Sequence, residues 1–432
     1  MFVSLLTVLL VSSLPLGMLS VRAGSFLEVV VYVGSEAELV VAVDNTEAGV
    51  HTVIFFEGDI ELSGALVIGA DRNITLASDS ETEFFKLVGA DGASALTVEA
   101  GGVLELAGIT VTHPRETTGQ GVTINTGGTL TLTSGTISGN TVNETPLAYG
   151  GGVCNYGCLN ISGGEISNNN ASGTGGGIYN SGNLTLSGGT IINNTANGWG
   201  GGIFSNIGIL AVSNCTIINN SAQNGFGGGI VSMAGLVATK CIIANNTAAF
   251  GGSGIGTSGY SLVSDCIITN NTAADRGTIY YAGGTGFVVS NCIITNNNGS
   301  GIHNSGGTSV VVSNCTITNN TANQGGGIQN SGDNRYAYGA NFTVTSCIIA
   351  DNSATQTGGG IYNDGANFTI SNCTLTSNTA NAGGAIYNDC GDNFLVTNTT
   401  LTNNTATYSG GAIYNYVGDN FLVTNTTLTN NT

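Results

Sequence analysis

The 432-residue sequence contains little proline and few charged residues of either sign. Only 3 residues are Pro, only 7 are Lys or Arg, and charged residues make up 8 % of the chain. So few cations cannot form a continuous basic surface for phosphate contacts, which argues against a nucleic-acid partner. The formal net charge of −19 comes mainly from one part of the chain, because all 13 Glu and 5 of the 13 Asp lie at or before Glu165.

Glycine is abundant where charge is scarce, with 69 residues in the chain, and Asn and Thr are also frequent. All three are poor helix formers, so long helices are not expected. The hydrophobic fraction of 41 % is enough to fill a core, which argues against disorder. The composition therefore favours a regular β structure.

Residues 1–23 are typical of a signal peptide. An apolar run is followed by Val21 and Ala23 at positions suited to cleavage before Gly24. An uncleaved signal anchor is the alternative, but Pro15 and Gly17 weaken the segment as a spanning helix. We therefore predict an exported protein that is extracellular or at the cell surface, which includes the outer membrane.

Two sequence markers repeat together about every 25 residues along most of the chain. One is an aliphatic residue that generally stands three positions before an Asn, at Ile137, Ile166, Ile191, Ile217, Ile242, Ile267, Ile293, Ile317, Ile348, Leu375, Leu401 and Leu428. The other is the pattern GGGIYN and its variants, centred on Val153, Ile178, Ile203, Ile230, Ile255, Ile279, Ile302, Ile328, Ile361, Ile386 and Ile413.

Each repeat predicts three short strands. In the repeat at 176–199, Ile178, Leu184 and Ile191 face one way and Tyr179 and Thr185 the other, with Gly or Asn between the segments. Such a repeat is too short for a βαβ unit. We therefore predict an all-β fold over residues 51–432, a right-handed single-stranded parallel β-helix with three strands and about 25 residues per coil.

The ends of the chain differ from the repeats. Ser35 and Glu38 form a capping-box pattern, which predicts a short helix near 36–43 within an N-terminal cap region, residues 24–50. The sequence stops at Asn431 and Thr432, directly after a marker, and we expect the C-terminus to be truncated.

Seven cysteines precede the aliphatic marker at regular spacing, and Gly or Thr stands at the same place in other repeats. The position therefore requires a small residue, and we predict a stack of buried, unreactive thiols. Cys154 and Cys158 lie outside this series and are candidates for a disulfide, as is Cys390 with an unknown partner.

The sequence GGAIYN, which occurs at residues 383–388 and again at 410–415, resembles repeats of bacterial polymorphic outer-membrane proteins and autotransporter passengers. The resemblance covers roughly residues 50–432, with I-x-x-N or L-x-x-N where the chlamydial proteins have F-x-x-N. It implies an exported β-helix with an adhesive or structural role.

Aromatic residues in the outward slot of the GGGIYN pattern are the candidate binding residues, because a row of rings could stack on sugars. They are Tyr362, Tyr387, Tyr414, Tyr179 and Phe204. The alternative is that the rings stack on each other and stabilise the sheet. The predicted partner is an extracellular glycan or a cell-surface protein.

The leading hypothesis is a non-enzymatic, adhesin-like or structural surface protein. No catalytic residue and no cofactor is predicted, because no pair of acids with a nearby base is visible in the repeats. The alternative is a carbohydrate-active enzyme of the pectate-lyase or glycoside-hydrolase kind. Structural calcium at oxygen-rich turns is a further, less favoured prediction, at Asp333, Asp364, Asp392 and Asp419.

Overall fold

A computed structural model describes residues 8–9, 18–23, 26–78, 84–143, 148–274, 276–331, 341–365 and 367–432, with side chains from residue 28 onward. The chain divides into two compact units, Met1–Asn194 and Thr195–Thr432. The predicted signal peptide falls largely outside the described residues and stays a prediction. None of the described helical structure is long and apolar enough to span a membrane.

Both units are parallel β-solenoids, as predicted. A coil of the second unit contains Ile203–Ser205, Leu210–Ser213 and Thr216–Ile218, followed by the two-residue strand Ser221–Ala222. We call these the first, second, third and fourth strands of a coil. Each pairs in parallel with the same strand of the next coil, as Phe204 does with Val231, so neighbouring coils satisfy each other's backbone N–H and C=O groups.

The second unit repeats this pattern throughout. Its first strands are Ile203–Ser205, Ile230–Ser232, Ile255–Thr257, Ile279–Tyr281, Ile302–Asn304, Ile328–Asn330, Ile361–Asn363, Ile386–Asn388 and Ile413–Asn415. Its second strands are Leu210–Ser213, Gly235–Thr239, Tyr260–Ser264, Phe287–Ser290, Ser309–Ser313, Asn341–Thr345, Phe368–Ser371, Leu395–Thr397 and Leu422–Thr424. Its third strands are Thr216–Ile218, Ile242–Ala244, Ile267–Thr269, Ile293–Thr295, Thr316–Thr318, Ile348–Ala350, Thr374–Thr376, Thr400–Thr402 and Thr427–Thr429. Its fourth strands are Thr195–Ala196, Ser221–Ala222, Thr247–Ala248, Thr272–Ala273, Thr321–Gln324, Ser353–Thr357, Thr379–Ala382 and Thr405–Ser409.

The first unit has the same strand order with longer strands. Its first strands are Leu66–Ile68, Leu96–Val98, Val122–Ile124, Val153–Asn155 and Ile178–Asn180. Its second and third strands are His51–Phe56, Ile60–Glu61, Asn73–Ser78, Lys86–Val88, Val103–Thr112, Thr129–Ser138, Cys158–Ile161, Glu165–Ser167, Asn183–Leu186 and Thr190–Ile192. Its fourth strands are Thr141–Val142 and Asn170–Ala171, and its N-terminal strands are Val8–Leu9, Met18–Ala23 and Phe26–Val33.

The predicted N-terminal helix is present at Glu36–Asp44. Ser35 is its N-cap, and the Ser35 hydroxyl accepts from the backbone N–H of Glu38. The Glu38 carboxylate in turn accepts from the N–H of Gly34 at 2.9 Å. The first bond satisfies an N–H group that the first turn leaves without a helical partner, and the second fixes the chain just before the helix, which is why this short polar motif starts a helix.

The core is a stack of inward aliphatic side chains, and here one sequence assignment was wrong. The marker residues Ile242, Ile267, Ile293 and Ile348 face outward and are 41–48 % exposed. The buried residues are their neighbours Ile243, Ile268, Ile294 and Ile349. These repeats contain an Ile-Ile pair, and a shift of one residue along a strand exchanges the inner and outer faces.

A ladder of buried Asn side chains follows the third strands. The side-chain oxygen of Asn271 accepts from the backbone N–H of Asn246 at 2.9 Å and from the side-chain amide of Asn246 at 3.0 Å. The side-chain amide of Asn246 also donates to the backbone carbonyl of Ile217. The residue just before each ladder member has a positive φ, as in Asn245 and Asn270, which Asn tolerates better than most residues. The repeated Asn residues at the bends therefore stack their side-chain amides from coil to coil.

The seven regularly spaced cysteines form a buried column, at Cys215, Cys241, Cys266, Cys292, Cys315, Cys347 and Cys373. Each thiol lies near a backbone carbonyl, as Cys292 does near that of Ser290 at 3.2 Å. Cys154 and Cys158 both carry free thiols, so the suggested disulfide between them was wrong. Cys154 lies on a first strand and Cys158 on the following second strand, and burial raises the pKa of the Cys154 thiol.

Candidate functional site

The middle residues of the first strands form one column in the second unit, which we call the outward column. Its members, in register from coil to coil, are Phe204, Val231, Gly256, Tyr280, His303, Gln329, Tyr362, Tyr387 and Tyr414. The glycine-rich segment before each strand passes close to this column. A Cβ on Gly383 would lie 2.8 Å from the Cβ of Tyr387, so only glycine permits this approach.

The predicted binding residues Tyr362, Tyr387 and Tyr414 lie together and stack on each other. The ring centres of Tyr362 and Tyr387 are 5.8 Å apart, and those of Tyr387 and Tyr414 are 5.3 Å apart. Tyr362 is only 5 % exposed, and its hydroxyl donates to Asp389 at 3.0 Å. Burial, with the Asp389 charge, raises the pKa of Tyr362. Much of the surface of these rings is therefore covered by neighbouring rings.

The two other predicted aromatic residues do not join that stack. Tyr179 lies in the first unit, where its ring stacks on Tyr149 with centres 4.5 Å apart. Phe204 lies in the second unit beside Trp199, with ring centres 6.3 Å apart. Both Tyr179 and Phe204 are 8 % exposed, so little of either ring is available to a large ligand.

Where the outward column holds His303 and Gln329, a cavity of about 510 Å³ opens, which we call the polar groove. Its lining among the described residues is Ala273, Ala274, Arg276, Asn298, Gly299, Ser300, His303, Ser305, Thr321, Ala322, Asn323, Gln324, Gln329, Ser331, Thr355 and Gln356. The first strands supply His303 and Gln329, and the fourth strands Thr321–Gln324 and Ser353–Thr357 supply much of the remainder. The groove therefore lies between two strand ladders of the solenoid.

Gln329 is held in one orientation within the groove. Its side-chain oxygen accepts from the hydroxyl of Ser300 at 3.2 Å, and its amide nitrogen donates to the hydroxyl of Ser331 at 3.0 Å. Hydroxyl and amide groups that are already positioned can hydrogen-bond a polar ligand without losing much side-chain freedom. The sequence analysis missed Gln329 because it followed only the aromatic members of the column.

His303 is nearly enclosed, with 6 % exposure, and its ring meets Tyr280 edge-on with centres 5.3 Å apart. Burial lowers the pKa of His303 to about 3, and the nearby positive charge of Arg276 acts in the same direction. The imidazole is therefore neutral at physiological pH, with one nitrogen that donates and one that accepts.

An apolar depression of about 250 Å³ adjoins Tyr280 in the same unit. It exists because the outward column holds Gly256 here, so no side chain fills the slot. Its lining is Trp199, Phe226, Val231, Ser232, Met233, Gly256, Thr257, Ser258, Tyr280 and Ala282. Trp199 and Phe226 meet edge-on, with ring centres 5.6 Å apart.

A third group of side chains lies beside the Tyr stack. Ligand atoms of Asp364, Asp389 and Cys390 all lie within 4.8 Å of one another, a spacing that could hold a cation. The sequence analysis named Asp364 but not its two neighbours, which lie in the next coil. Asp392 instead accepts from the backbone N–H of Asp419 at 2.8 Å, and Asp333 lies outside the described residues. The calcium prediction is untested.

Comparison with known proteins supports the fold and the resemblance. The family described as right handed beta helix region matches residues 240–400, and the Chlamydia polymorphic membrane protein repeat matches residues 398–416. No curated protein matches significantly. Among solved structures, the chain is similar to the A-module of the mannuronan C-5 epimerase AlgE6 of Azotobacter vinelandii, with 12 % identity, 91 % of this chain and 93 % of that chain covered, and a TM-score of 0.28.

Proposed function

We propose that this right-handed β-helix repeat protein, which resembles polymorphic membrane proteins, is a non-enzymatic surface protein that binds an extracellular glycan in the polar groove. The two family matches support a surface β-helix protein. The observation that carries the proposal is the groove itself, where Ser300, Gln329 and Ser331 form a fixed set of hydroxyl and amide groups. Such groups match the hydroxyl-rich surface of a sugar.

The aromatic residues near the groove support the same ligand class. Tyr280 and Trp199 line the adjoining apolar depression, and an aromatic ring offers an apolar face on which the C–H side of a sugar ring can pack. Among the described residues that line the groove, none is Asp or Glu. Glycoside hydrolysis generally uses two carboxyl groups, so this lining favours binding over cleavage. Asp275, next to Arg276, lies outside the described residues.

A carbohydrate-active enzyme is the second candidate, and one observation favours it. The carboxylates of Asp364 and Asp389 come within 4.8 Å of each other, which is near the separation of roughly 5 Å used by retaining glycosidases. Neither of the two cavities described above is lined by these residues. Asp389 also accepts the hydroxyl of Tyr362, which gives the carboxylate a structural partner.

A glycan array scored for both retained protein and released sugar ends tests the two candidates. We expect the wild-type chain to be retained without releasing sugar ends, and we expect Gln329→Ala to reduce retention at least tenfold. Thr343→Ala, an outward change on a second strand of the same unit, serves as the matched control and is expected to change nothing. Release that disappears in Asp389→Asn would overturn the non-enzymatic proposal.

A further inference from the structure

Arg276 brings a positive charge into a nearly uncharged part of the chain. After Glu165 the sequence has only three basic residues, Lys240, Arg276 and Arg335. The guanidinium carbon of Arg276 lies 5.1 Å from the ring centre of Tyr280 and 5.7 Å from that of Phe226. The same guanidinium donates to the Tyr280 hydroxyl. Two rings and a hydrogen bond therefore hold this planar cation at the edge of the polar groove.

Most donors of this guanidinium have no acceptor among the described residues. It carries five N–H donors, and among the described residues its hydrogen-bond partner is the Tyr280 hydroxyl. No described carboxylate lies within ion-pair distance of Arg276, since the ion pair found in the described residues joins His51 and Glu28. A fixed guanidinium that lines a cavity is suited to a planar or tetrahedral oxyanion.

His303 adds a second polar group at the same end of the groove. The residue is 6 % exposed, it lines the groove, and its Nδ1 has no hydrogen-bond partner among the described residues. Buried polar atoms nearly always have a partner, so one that lacks it beside a cavity points to a ligand that supplies it. The position is also tightly fixed, because a Cβ on Gly277 would lie 2.6 Å from the Cβ of His303.

We propose that Arg276 and His303 together bind one anionic group, a carboxylate or a sulfate, of an acidic sugar unit in the polar groove. This inference rests on the glycan-binding function proposed above and names the class of glycan, which is an acidic polysaccharide. No Asp or Glu is among the described residues that line the groove, so no described lining carboxylate repels the anion. Gln329, with Ser300 and Ser331, then contacts the uncharged part of the sugar.

Titration calorimetry of the full chain with three tetrasaccharides tests the anion site. The probes are tetramers of galacturonate, of galactose 6-sulfate and of galactose, which share their ring configuration and differ at carbon 6. We expect at least one acidic tetramer to bind at least tenfold more tightly than the galactose tetramer, as a charge-assisted hydrogen bond requires. Comparing the affinities for the galacturonate and the galactose 6-sulfate tetramers shows whether the site binds a carboxylate or a sulfate.

Substitutions then test whether Arg276 causes the preference for the acidic tetramer. Arg276→Gln is expected to remove the preference, so that the variant binds the acidic and the galactose tetramers with affinities within twofold of each other. If Arg276→Gln lowers the melting temperature, Arg276→Lys replaces it, and we expect the preference to weaken without disappearing because the charge remains. The matched control is Lys240→Asn, which removes the same charge at a positive-φ position where the preceding coil has Asn214. We expect it to leave the preference within twofold.

The outcomes separate this inference from the function on which it rests. Equal binding of all three tetramers by the wild type, with loss of binding in Gln329→Ala, would leave glycan binding intact and overturn the anion site. An acidic preference that survives in Arg276→Gln would overturn it as well. The absence of retention on the array and of binding to every tetramer would overturn both proposals.

Discussion

Two stretches of the outward column in the second unit share one backbone arrangement and present opposite surfaces. From Tyr362 to Tyr414 the rings stack at 5.3–5.8 Å and close the column. At His303 and Gln329 the column holds an imidazole and an amide instead of stacked Tyr rings, and a cavity of about 510 Å³ opens. The strand pairing is parallel and in register in both stretches. The backbone thus determines where an outward residue stands, and the size of its side chain determines whether the surface is closed or open.

The largest expected effect comes from removing the internal frame that both stretches share. Asn378→Ala eliminates hydrogen bonds to Asn404 and Ile349 and leaves Asn352 without its acceptor. Asn297→Ala does the same beside the groove. We expect each change to cost about 3 kcal/mol, because buried polar groups lose their partners. Chemical unfolding followed by circular dichroism measures this, and a clearly smaller loss in one stretch would contradict a shared frame.

Breaking the Tyr stack should have the next largest effect. Tyr387→Ala removes two ring contacts and is expected to cost about 2 kcal/mol of the free energy of unfolding. Tyr387→Phe keeps both contacts and is expected to stay within about 0.5 kcal/mol of the wild type. If Tyr387→Ala also abolishes glycan retention while Tyr387→Phe does not, the stack is a binding surface and the comparison above must be revised.

Filling the polar groove with an aromatic ring should make this stretch of the column resemble the Tyr stack. Gln329→Tyr extends the ring column toward Tyr362, its neighbour in register. We expect glycan binding to weaken at least tenfold, since the ring occupies the cavity, while the melting temperature changes little. Thr343→Tyr adds the same ring to an outward position on a second strand and is the control. Unchanged binding in Gln329→Tyr would show that the groove is not the binding surface.

The effect that is smallest at neutral pH is a pH dependence confined to the groove, which is expected only as the pH falls below about 6.5. The pKa of His303 is about 3 in the folded chain, mainly because of burial and secondly because of Arg276, against about 6.5 when unfolded. The unfolded chain therefore binds an extra proton between these values, so His303 contributes stability above about pH 6.5 that is lost as the pH falls toward 3. Among the described neighbours, Arg276 and Tyr280 are the groups that face the ring.

His303→Gln tests this pH dependence, because Gln is the residue that stands in the same slot one coil later, at Gln329. We expect the wild type to lose more stability than the variant as the pH is lowered from 6.5 to 4. Thermal unfolding at several pH values measures it. Parallel pH profiles for the two proteins would mean that His303 is not buried in its neutral form.

Much of the fold could be predicted from the sequence because each coil repeats the same local requirements. The capping residues Ser35 and Glu38 gave the helix, and the spacing of Ile and Asn gave the coils. The one-residue error at Ile242 arose because two adjacent Ile residues satisfy the same pattern, and only pairing with the neighbouring coil decides which one is buried. The disulfide prediction rested on two cysteines close in sequence, whereas Cys154 and Cys158 lie on consecutive strands and both thiols are free.

The candidate site was less predictable. The sequence by itself determined the class of fold, the amide ladder and the column in which Tyr362 and His303 both stand, because these follow from residues repeated at one spacing. Only the tertiary structure decided which part of the column is open, since Arg276 and Tyr280 are four residues apart but Phe226 belongs to another coil and meets them only when the coils stack. A cavity is formed partly by side chains that are distant along the chain, and a local sequence pattern does not show how close they come in space.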